Sequence, residues 1–377
     1  MALTKLFRDF FNSERSAGIL LIGCTILSLL LTNSNLGDSY LQIWNAKVSG
    51  ESVTHWINDG LMAIFFLMIG LELEREIYKG ELSDIKKALL PVMAAIGGIL
   101  VPAAIYFFLN YSSDTKSGIG IPMATDIAFA LGILSLLGKR VPVSLKIFLA
   151  ALAITDDIGA ILVIAIFYTT TISWINILIA AAIFVFLGVL NRLKVFNFIP
   201  YLIGGIAAWY FMLHSGVHAT ITGVILAFVI PFGSGSSNSL SYKLQHFLHT
   251  PVNFIILPLF ALANTAIIIV PDWYNGLFEN YALGIFGGLV IGKPVGIVLF
   301  SILIIKSGLA ALPKDVSFKQ LVGTGFLGGI GFTMSIFITL LAFDNLNYIN
   351  GSKIAILLSS LIAGITGFAI LKSSIKN

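Results

Sequence analysis

Two adjacent aspartates, Asp156 and Asp157, lie inside an almost unbroken apolar run at residues 146–169. A charged group at the centre of a membrane helix costs about 2.5–3.5 kcal/mol even on insertion scales, so such pairs need a reason. Neighbours on a helix point about 100° apart because 3.6 residues complete a turn. We therefore expect one carboxylate to face a water-filled cavity and the other to meet a basic partner such as Lys293. The spacing does not decide which aspartate takes which role.

Two further charges lie at a similar depth. Lys293 is 12 residues from either end of its apolar run, Asp126 is also deep, and the aspartate pair is 11 or 12 residues from the ends of its run. At about 1.5 Å per residue, all four groups lie near the midplane of a hydrocarbon core that is about 30 Å thick. Such groups usually pair and mark ion or proton pathways. A salt bridge that only joins helices would need two of these four charges.

The composition requires a membrane setting for these charges. The chain has 377 residues, of which 58% are hydrophobic and 11% charged, with a mean hydropathy of +0.98. A soluble domain is roughly 45–50% apolar and about 25% charged. We interpret the net charge of +4 as a topology signal and expect no nucleic-acid partner. The single cysteine, Cys24, excludes an internal disulfide, and we expect no cofactor.

The apolar runs predict an all-α polytopic membrane protein with about twelve transmembrane helices in one domain, residues 1–377. The seventh and eighth predicted spans are short and almost directly joined, so a count of eleven or ten stays open. The predicted spans cover residues 15–32, 57–79, 88–109, 119–138, 144–169, 173–191, 198–213, 216–231, 250–270, 281–305, 318–343 and 352–372.

The basic residues predict the orientation of the spans. With both termini in the cytoplasm, 18 of the 22 Lys and Arg residues fall on the inner side and 3 on the outer side, and Lys293 is in the membrane. This asymmetry favours twelve spans. A Gly/Ser-rich stretch at residues 233–241 predicts a flexible cytoplasmic linker. The outer stretch at residues 40–56 is compatible with a small periplasmic β-hairpin or with an ordinary loop.

The fourth and eleventh predicted spans are rich in residues that weaken helices. Pro122 and two glycines precede Asp126, and five glycines lie at residues 323–331. Unwound backbone at this depth must meet protein or line a cavity. Asp126 would then offset exposed helix N-termini, and Lys293 exposed C-termini. Close helix packing is the alternative explanation for the glycines.

The two weak spans occupy corresponding places, within spans 3–5 and within spans 10–12. They run in opposite directions, which indicates an inverted-topology repeat with a binding site at the midplane.

At these residues the chain resembles the NhaA-type sodium/proton antiporters, from about Phe10 to the last span. The matching stretches are MATDIAFALGILSLLGKRVP (123–142), ALAITDDIGAI (151–161), HSGVHATITGV (214–224), IGKPVGI (291–297) and GIGFTMSIF (329–337).

The resemblance implies a role for each matched charge. Asp157 is expected to be the principal Na⁺ carboxylate, with Asp156 as its partner, proposed in the family both as a proton carrier and as the ion-pair partner of Lys293. Thr125 and Asp126 are expected to form the unwound part of the fourth span, with Thr125 near the ion. The resemblance also implies dimerisation through the outer hairpin at residues 40–56.

The family also has a cytoplasmic pH-sensing cluster. The chain departs from its best-known members at Gln245, where they have glutamate, and at Glu74, where they carry lysine. Because glutamine does not titrate, we expect an altered pH response. The matching residues here are Glu72, Arg75, Glu76, Gln245, His246 and His249.

The implied function is electrogenic exchange of Na⁺ or Li⁺ for protons by alternating access, in the bacterial inner membrane. Two other functional classes, an intramembrane protease and a channel, fit the sequence less well. An intramembrane aspartyl protease needs two carboxylates that share a water, whereas adjacent aspartates on one helix face apart. A channel needs a continuous pore rather than a buried set of acids and a base. The sequence leaves open whether Asp156 or Lys293 releases a second proton.

Overall fold

The chain is almost entirely helical. A computed structural model describes the backbone of residues 2–168 and 172–375, and the side chains from Ser16 onward except that of Lys139. Thr169, the last residue of the fifth predicted span, lies outside the described residues. Within them, seven helices are long and apolar enough to cross a membrane, or up to ten segments if each bent helix pair is one span. The prediction of an all-α polytopic membrane protein is confirmed.

The elements follow one another in the order in which the chain runs. Short 3₁₀ segments occur at Glu81–Ser83, Asp114–Met123, Gly138–Arg140 and Trp273–Phe278. The helices and strands are α1 (Ala2–Thr32), α2 (Gly37–Asn45), β1 (Lys47–Val48), β2 (Glu51–Ser52), α3 (Val53–Lys79), α4 (Ile85–Asn110), α5 (Ile127–Leu136), α6 (Val143–Phe167), α7 (Trp174–Arg192), α8 (Phe198–Leu213), α9 (Ile221–Val229), α10 (Leu240–Asn264), α11 (Asn280–Lys306), α12 (Phe318–Gly328), α13 (Phe332–Ala342) and α14 (Leu346–Ser374).

Two of the bent pairs coincide with the weak spans. The 3₁₀ segment Asp114–Met123 and α5 meet at 41°, and α12 and α13 also meet at 41°. The backbone is therefore interrupted in both places where glycine and proline predicted a break.

The length of the helices does not establish twelve spans. α8 has 16 residues and α9 has only nine, whereas a helix needs about 20 residues to cross the core. These are the same two spans that the sequence left in doubt.

The described residues form two compact units. The first contains residues 2–34, 84–160 and 264–375. Its core draws Leu90 from α4, Phe148 and Leu152 from α6, Ile297 from α11 and Leu321 from α12.

Within the first unit, α4 and α11 touch through their backbones. A Cβ on Gly97 would overlap the carbonyl oxygen of Gly296, and a Cβ on Gly296 would overlap that of Gly97. Small residues permit such close approach between membrane helices. The contact lies one turn after Lys293, so α11 presents its lysine from a fixed position on α4.

The second unit contains residues 35–83, 161–168 and 172–263. Its α3 packs closely on α9, where a Cβ on Gly223 would overlap the carbonyl oxygen of Ala63. The stretch at 233–241 follows α9, includes the first two residues of α10 and belongs to this unit.

The outer stretch contains the small hairpin. β1 and β2 pair antiparallel, with Lys47 opposite Ser52 and Val48 opposite Glu51. The turn residues Ser49 and Gly50 have φ angles of 54° and 96°. Two left-handed residues make the tight turn whose twist matches that of paired strands. Of the two readings of this stretch, the hairpin is confirmed.

Candidate functional site

The two interrupted spans meet in the first unit at residues 124–126 and 329–331, which we call the double break. Asp126 joins its two sides. Its Oδ1 accepts a hydrogen bond from the Phe129 N–H at 3.0 Å, and its Oδ2 accepts from the Thr333 N–H at 3.0 Å and from the Thr333 hydroxyl. One carboxylate therefore caps the N-termini of both α5 and α13, where negative charge is favoured. The Asp126 N–H in turn donates to the Ile330 carbonyl at 2.7 Å.

Side chains also satisfy other backbone groups at the break. The Thr125 hydroxyl donates to the Gly328 carbonyl at the end of α12, at 2.7 Å. The Phe332 N–H at the start of α13 donates to Ser360 Oγ on α14 at 3.1 Å, and Ser335 Oγ donates to the Ile121 carbonyl at 2.7 Å. Broken helices persist at membrane depth only when their freed backbone groups find such partners.

Lys293 forms a buried ion pair with Asp156. Its Nζ lies 2.5 Å from Asp156 Oδ2, and both side chains are fully buried. The ammonium also donates to Thr125 Oγ1, which lies 2.7 Å from the same carboxylate oxygen. We expected Lys293 to offset the C-terminal helix ends, but the Gly328 carbonyl receives the threonine hydroxyl instead.

The two aspartates of α6 have different surroundings. Asp156 meets the lysine through Oδ2, while its buried Oδ1 makes no hydrogen bond within the described part of the chain. Asp157 is also buried, at 1% exposure, and attracts Lys293 electrostatically without forming the direct pair. The structure therefore decides what spacing left open, since Asp156 is the partner of the base.

This arrangement has a definite chemical capacity. Two carboxylates and one hydroxyl offer hard oxygen atoms, which suit hard cations. A cation that approached Asp156 would compete with the lysine ammonium for the same oxygen. Cation binding and the protonation of this set are consequently linked.

The six residues that matched the pH-sensing cluster lie in the second unit, on α3 and α10. We call them the Arg75 cluster. Arg75 donates to Gln245 Oε1 at 3.1 Å and to the Gly235 carbonyl at 3.2 Å, and its guanidinium lies 4.3 Å from the Tyr242 ring centre. Gln245 also hydrogen-bonds Glu72. Its amide therefore accepts from the base and bonds the acid, which a glutamate could not do when ionised.

The other cluster members have separate contacts. The His246 ring is parallel to the Tyr242 ring within 3°, with centroids 6.1 Å apart. Glu76 accepts from the Glu81 N–H at 2.9 Å, and His249 Nε2 lies 3.2 Å from Asn253 Nδ2. The direct chain of polar contacts is Glu72, Gln245 and Arg75.

Sequence reasoning missed two residues that hold the double break. Thr333 stands in the first turn after the glycines of GIGFTMSIF, which is a readable position for a capping hydroxyl. Ser360 gave no such signal, because a serine in an apolar helix ordinarily bonds within its own helix.

Comparison with known proteins identifies the family of the chain. The sequence profile of a family described as "Na+/H+ antiporter 1" matches residues 8–371. The chain belongs to this family. The resemblance found in its motifs is thereby confirmed, and members of the Na⁺/H⁺ antiporter 1 family are multi-pass membrane transporters.

Several relatives share nearly the whole length of the chain. A Na(+)/H(+) antiporter NhaA of Flavobacterium psychrophilum is 62% identical over 377 residues, which cover 100% of this chain and 98% of the relative. A Na(+)/H(+) antiporter NhaA 1 of Flavobacterium johnsoniae is 63% identical, with 99% and 98% covered. A Na(+)/H(+) antiporter NhaA 1 of Clostridium beijerinckii is 47% identical, with 97% and 94% covered. The relatives bear the names of transporters rather than of enzymes.

Proposed function

We propose that the protein exchanges Na⁺, and also Li⁺, for protons by alternating access at the double break. The observation that carries this proposal is the buried group of Asp156, Asp157 and Lys293 in a member of the Na⁺/H⁺ antiporter 1 family. Neither a purely structural ion pair nor a helix cap accounts for the second aspartate.

The cation is assigned to Asp157, Asp156 and Thr125. Because the Lys293 ammonium occupies Asp156 Oδ2, a cation that takes this oxygen displaces the lysine. Protons and Na⁺ thus compete for one site, and no second site is needed to couple them. When more than one titratable group responds to each Na⁺, exchange moves net charge, and each charge is worth about 2.3 kcal/mol per 100 mV.

The topology is part of the proposal. Twelve spans with both termini in the cytoplasm of a bacterium would place spans 3–5 and 10–12 as an inverted repeat in the inner membrane. The equal 41° bends of the two broken spans support this symmetry. The hairpin at residues 40–56 is assigned to a periplasmic dimer contact, and the apolar outer surface to membrane lipid.

Regulation by pH is assigned to the Arg75 cluster. It contains carboxylates, histidines and an arginine, and the amide of Gln245 connects Glu72 to Arg75.

The central test is transport by the Asp157→Asn variant in everted membrane vesicles. We expect Na⁺-dependent recovery of an imposed pH gradient to be abolished, while the amount of protein in the membrane is unchanged. Asp84→Asn, which alters an exposed carboxylate at the start of α4, is the matched control and retains exchange. Full activity of Asp157→Asn would refute the site assignment. Na⁺ flux that persists without coupled proton movement would indicate a channel.

A further inference from the structure

A π-helical turn at Gly288–Gly292 interrupts α11 just before Lys293. A Cβ on Gly288 would lie only 2.6 Å from Pro122, close to the break of the fourth span. On the other side, a Cβ on Gly329 would overlap the carbonyl oxygen of Leu289. The turn therefore borders both halves of the double break, and it aims one backbone oxygen at the second half.

The Leu289 carbonyl has lost both donors that a helix offers it. The N–H of Lys293, four residues on, bonds the Gly288 carbonyl instead. The next candidate, residue 294, is proline and has no N–H. Leu289 is fully buried. More than about 90% of buried backbone carbonyls have a partner, so an oxygen deprived of its helical donors at this depth calls for an explanation.

The glycine that this oxygen meets is one residue from a carbonyl that is hydrogen-bonded to the proposed site. Gly329, against which it lies, directly follows Gly328, whose carbonyl accepts from the Thr125 hydroxyl. Thr125 in turn contacts both Asp156 and Lys293. Hard cations combine carboxylate oxygens with neutral carbonyl oxygens in this way. A third carboxylate would add charge, whereas a carbonyl adds coordination without adding another titratable group.

We propose that the Leu289 carbonyl oxygen is a neutral ligand of the transported cation, freed for this purpose by the π-helical turn and Pro294. The inference rests on the proposed function, since it adds a ligand to the site of Asp156, Asp157 and Thr125. Pro294 is then a positioning residue that acts by withholding a hydrogen-bond donor.

The test restores that donor. Pro294→Ala introduces an N–H that can bond the Leu289 carbonyl, and we expect the Kd for Na⁺ to rise about tenfold, as the loss of one bond to a charged partner implies. The matched control places the α-hydroxy analogue of alanine at position 294. It removes the proline ring without adding an N–H, so it retains the wild-type Kd. The readout is binding of radioactive Na⁺ to purified protein, with Na⁺-dependent protection against thermal unfolding as a second measurement.

A second variant reaches the same oxygen from the other side. Gly329→Ala pushes the carbonyl away through its Cβ and should also weaken Na⁺ binding, whereas Gly23→Ala, which meets open space, should not. This pair keeps the inference testable if Pro294→Ala does not fold.

The outcomes separate this inference from the proposed function. Wild-type Na⁺ binding by Pro294→Ala overturns the inference, as does equal weakening by the alanine and hydroxy-acid variants, which would indicate ring packing. Asp157→Asn in the same assay should lose binding. If Asp157→Asn binds normally, the proposed site is wrong, and if it alone loses binding, only the Leu289 ligand is rejected.

Discussion

The ion pair beside the double break and the Arg75 cluster both place an acid near a base, but they join them differently. At the double break, Lys293 and Asp156 are in direct contact at 2.5 Å and fully buried. In the cluster, Arg75 and Glu72 are connected through the amide of Gln245. Arg75 also keeps a backbone carbonyl and an aromatic ring as partners.

The difference shows how each region depends on its charges. Removal of one partner from a direct buried pair leaves an uncompensated charge away from water. Removal of Arg75 or Glu72 from the Arg75 cluster leaves the other residue in contact with the neutral Gln245. The first arrangement suits a site where partners must be exchanged, and the second suits a site that tunes a response.

The largest expected effect comes from breaking the direct ion pair between Lys293 and Asp156. Asp156→Asn should lower the free energy of unfolding by about 3–5 kcal/mol, because Lys293 stays buried without its carboxylate. Glu72→Gln, the matched change in the cluster, should cost less than about 1 kcal/mol, because its partner Gln245 is neutral and can also hydrogen-bond an amide. Both are measured by thermal unfolding in detergent.

A double variant provides the control for that comparison. Asp156→Asn combined with Lys293→Met removes both charges and should recover most of the lost stability. The comparison fails if the single variant is as stable as wild type, or if the double variant is no more stable than the single one.

A smaller effect is expected from adding a charge to the cluster. Gln245→Glu cannot donate to Glu72 and places a like charge beside it. The midpoint of the pH–activity profile should move by roughly one pH unit, a common size for the effect of a neighbouring charge. Gln245→Met, which removes the bridge without adding charge, should leave the midpoint closer to that of wild type. Superimposable wild-type and Gln245→Glu curves would contradict the assignment of pH sensitivity to this amide position.

The smallest effect concerns a neutral contact at the double break. Ser360→Ala leaves the Phe332 N–H without its acceptor and should destabilise the protein by about 1 kcal/mol. Ser359→Ala is the matched control, because its hydroxyl bonds the Ala355 carbonyl of its own helix, and such bonds contribute little. Equal stability of the two variants would show that the cap on α13 is not needed.

Depth and charge made much of the site predictable. Asp126 and Lys293 could be predicted as site residues because acids and bases are rare in apolar runs. The two helix breaks could be predicted from glycine and proline. The choice of Asp156 as the partner of Lys293 was not readable, since a 100° separation is symmetric between the two aspartates. The folded structure decides it, since Lys293 Nζ lies 2.5 Å from Asp156 Oδ2.

Other features were hidden for different physical reasons. The π-helical turn before Lys293 adds one residue to a helical turn, and a hydropathy pattern is insensitive to that change. The Leu289 carbonyl belongs to the backbone, so no side chain in the sequence indicates it. Pro294 does mark a position where the backbone N–H donor is missing. The number of spans stays a prediction, because α9 has only nine residues and is far shorter than the apolar run that contains it.

The hydroxyl of Thr125 can donate its hydrogen to only one of two acceptors at a time. It has one hydrogen and two acceptors within 2.7 Å, the Asp156 carboxylate and the Gly328 carbonyl. It therefore behaves as a two-position rotor that favours either the acid or the helix end at any moment. A hydroxyl turns in picoseconds to nanoseconds, whereas helices move in microseconds to milliseconds. We therefore predict that the first response of the proposed site to an ion is a change of hydrogen-bond direction at Thr125, which precedes any movement of a helix.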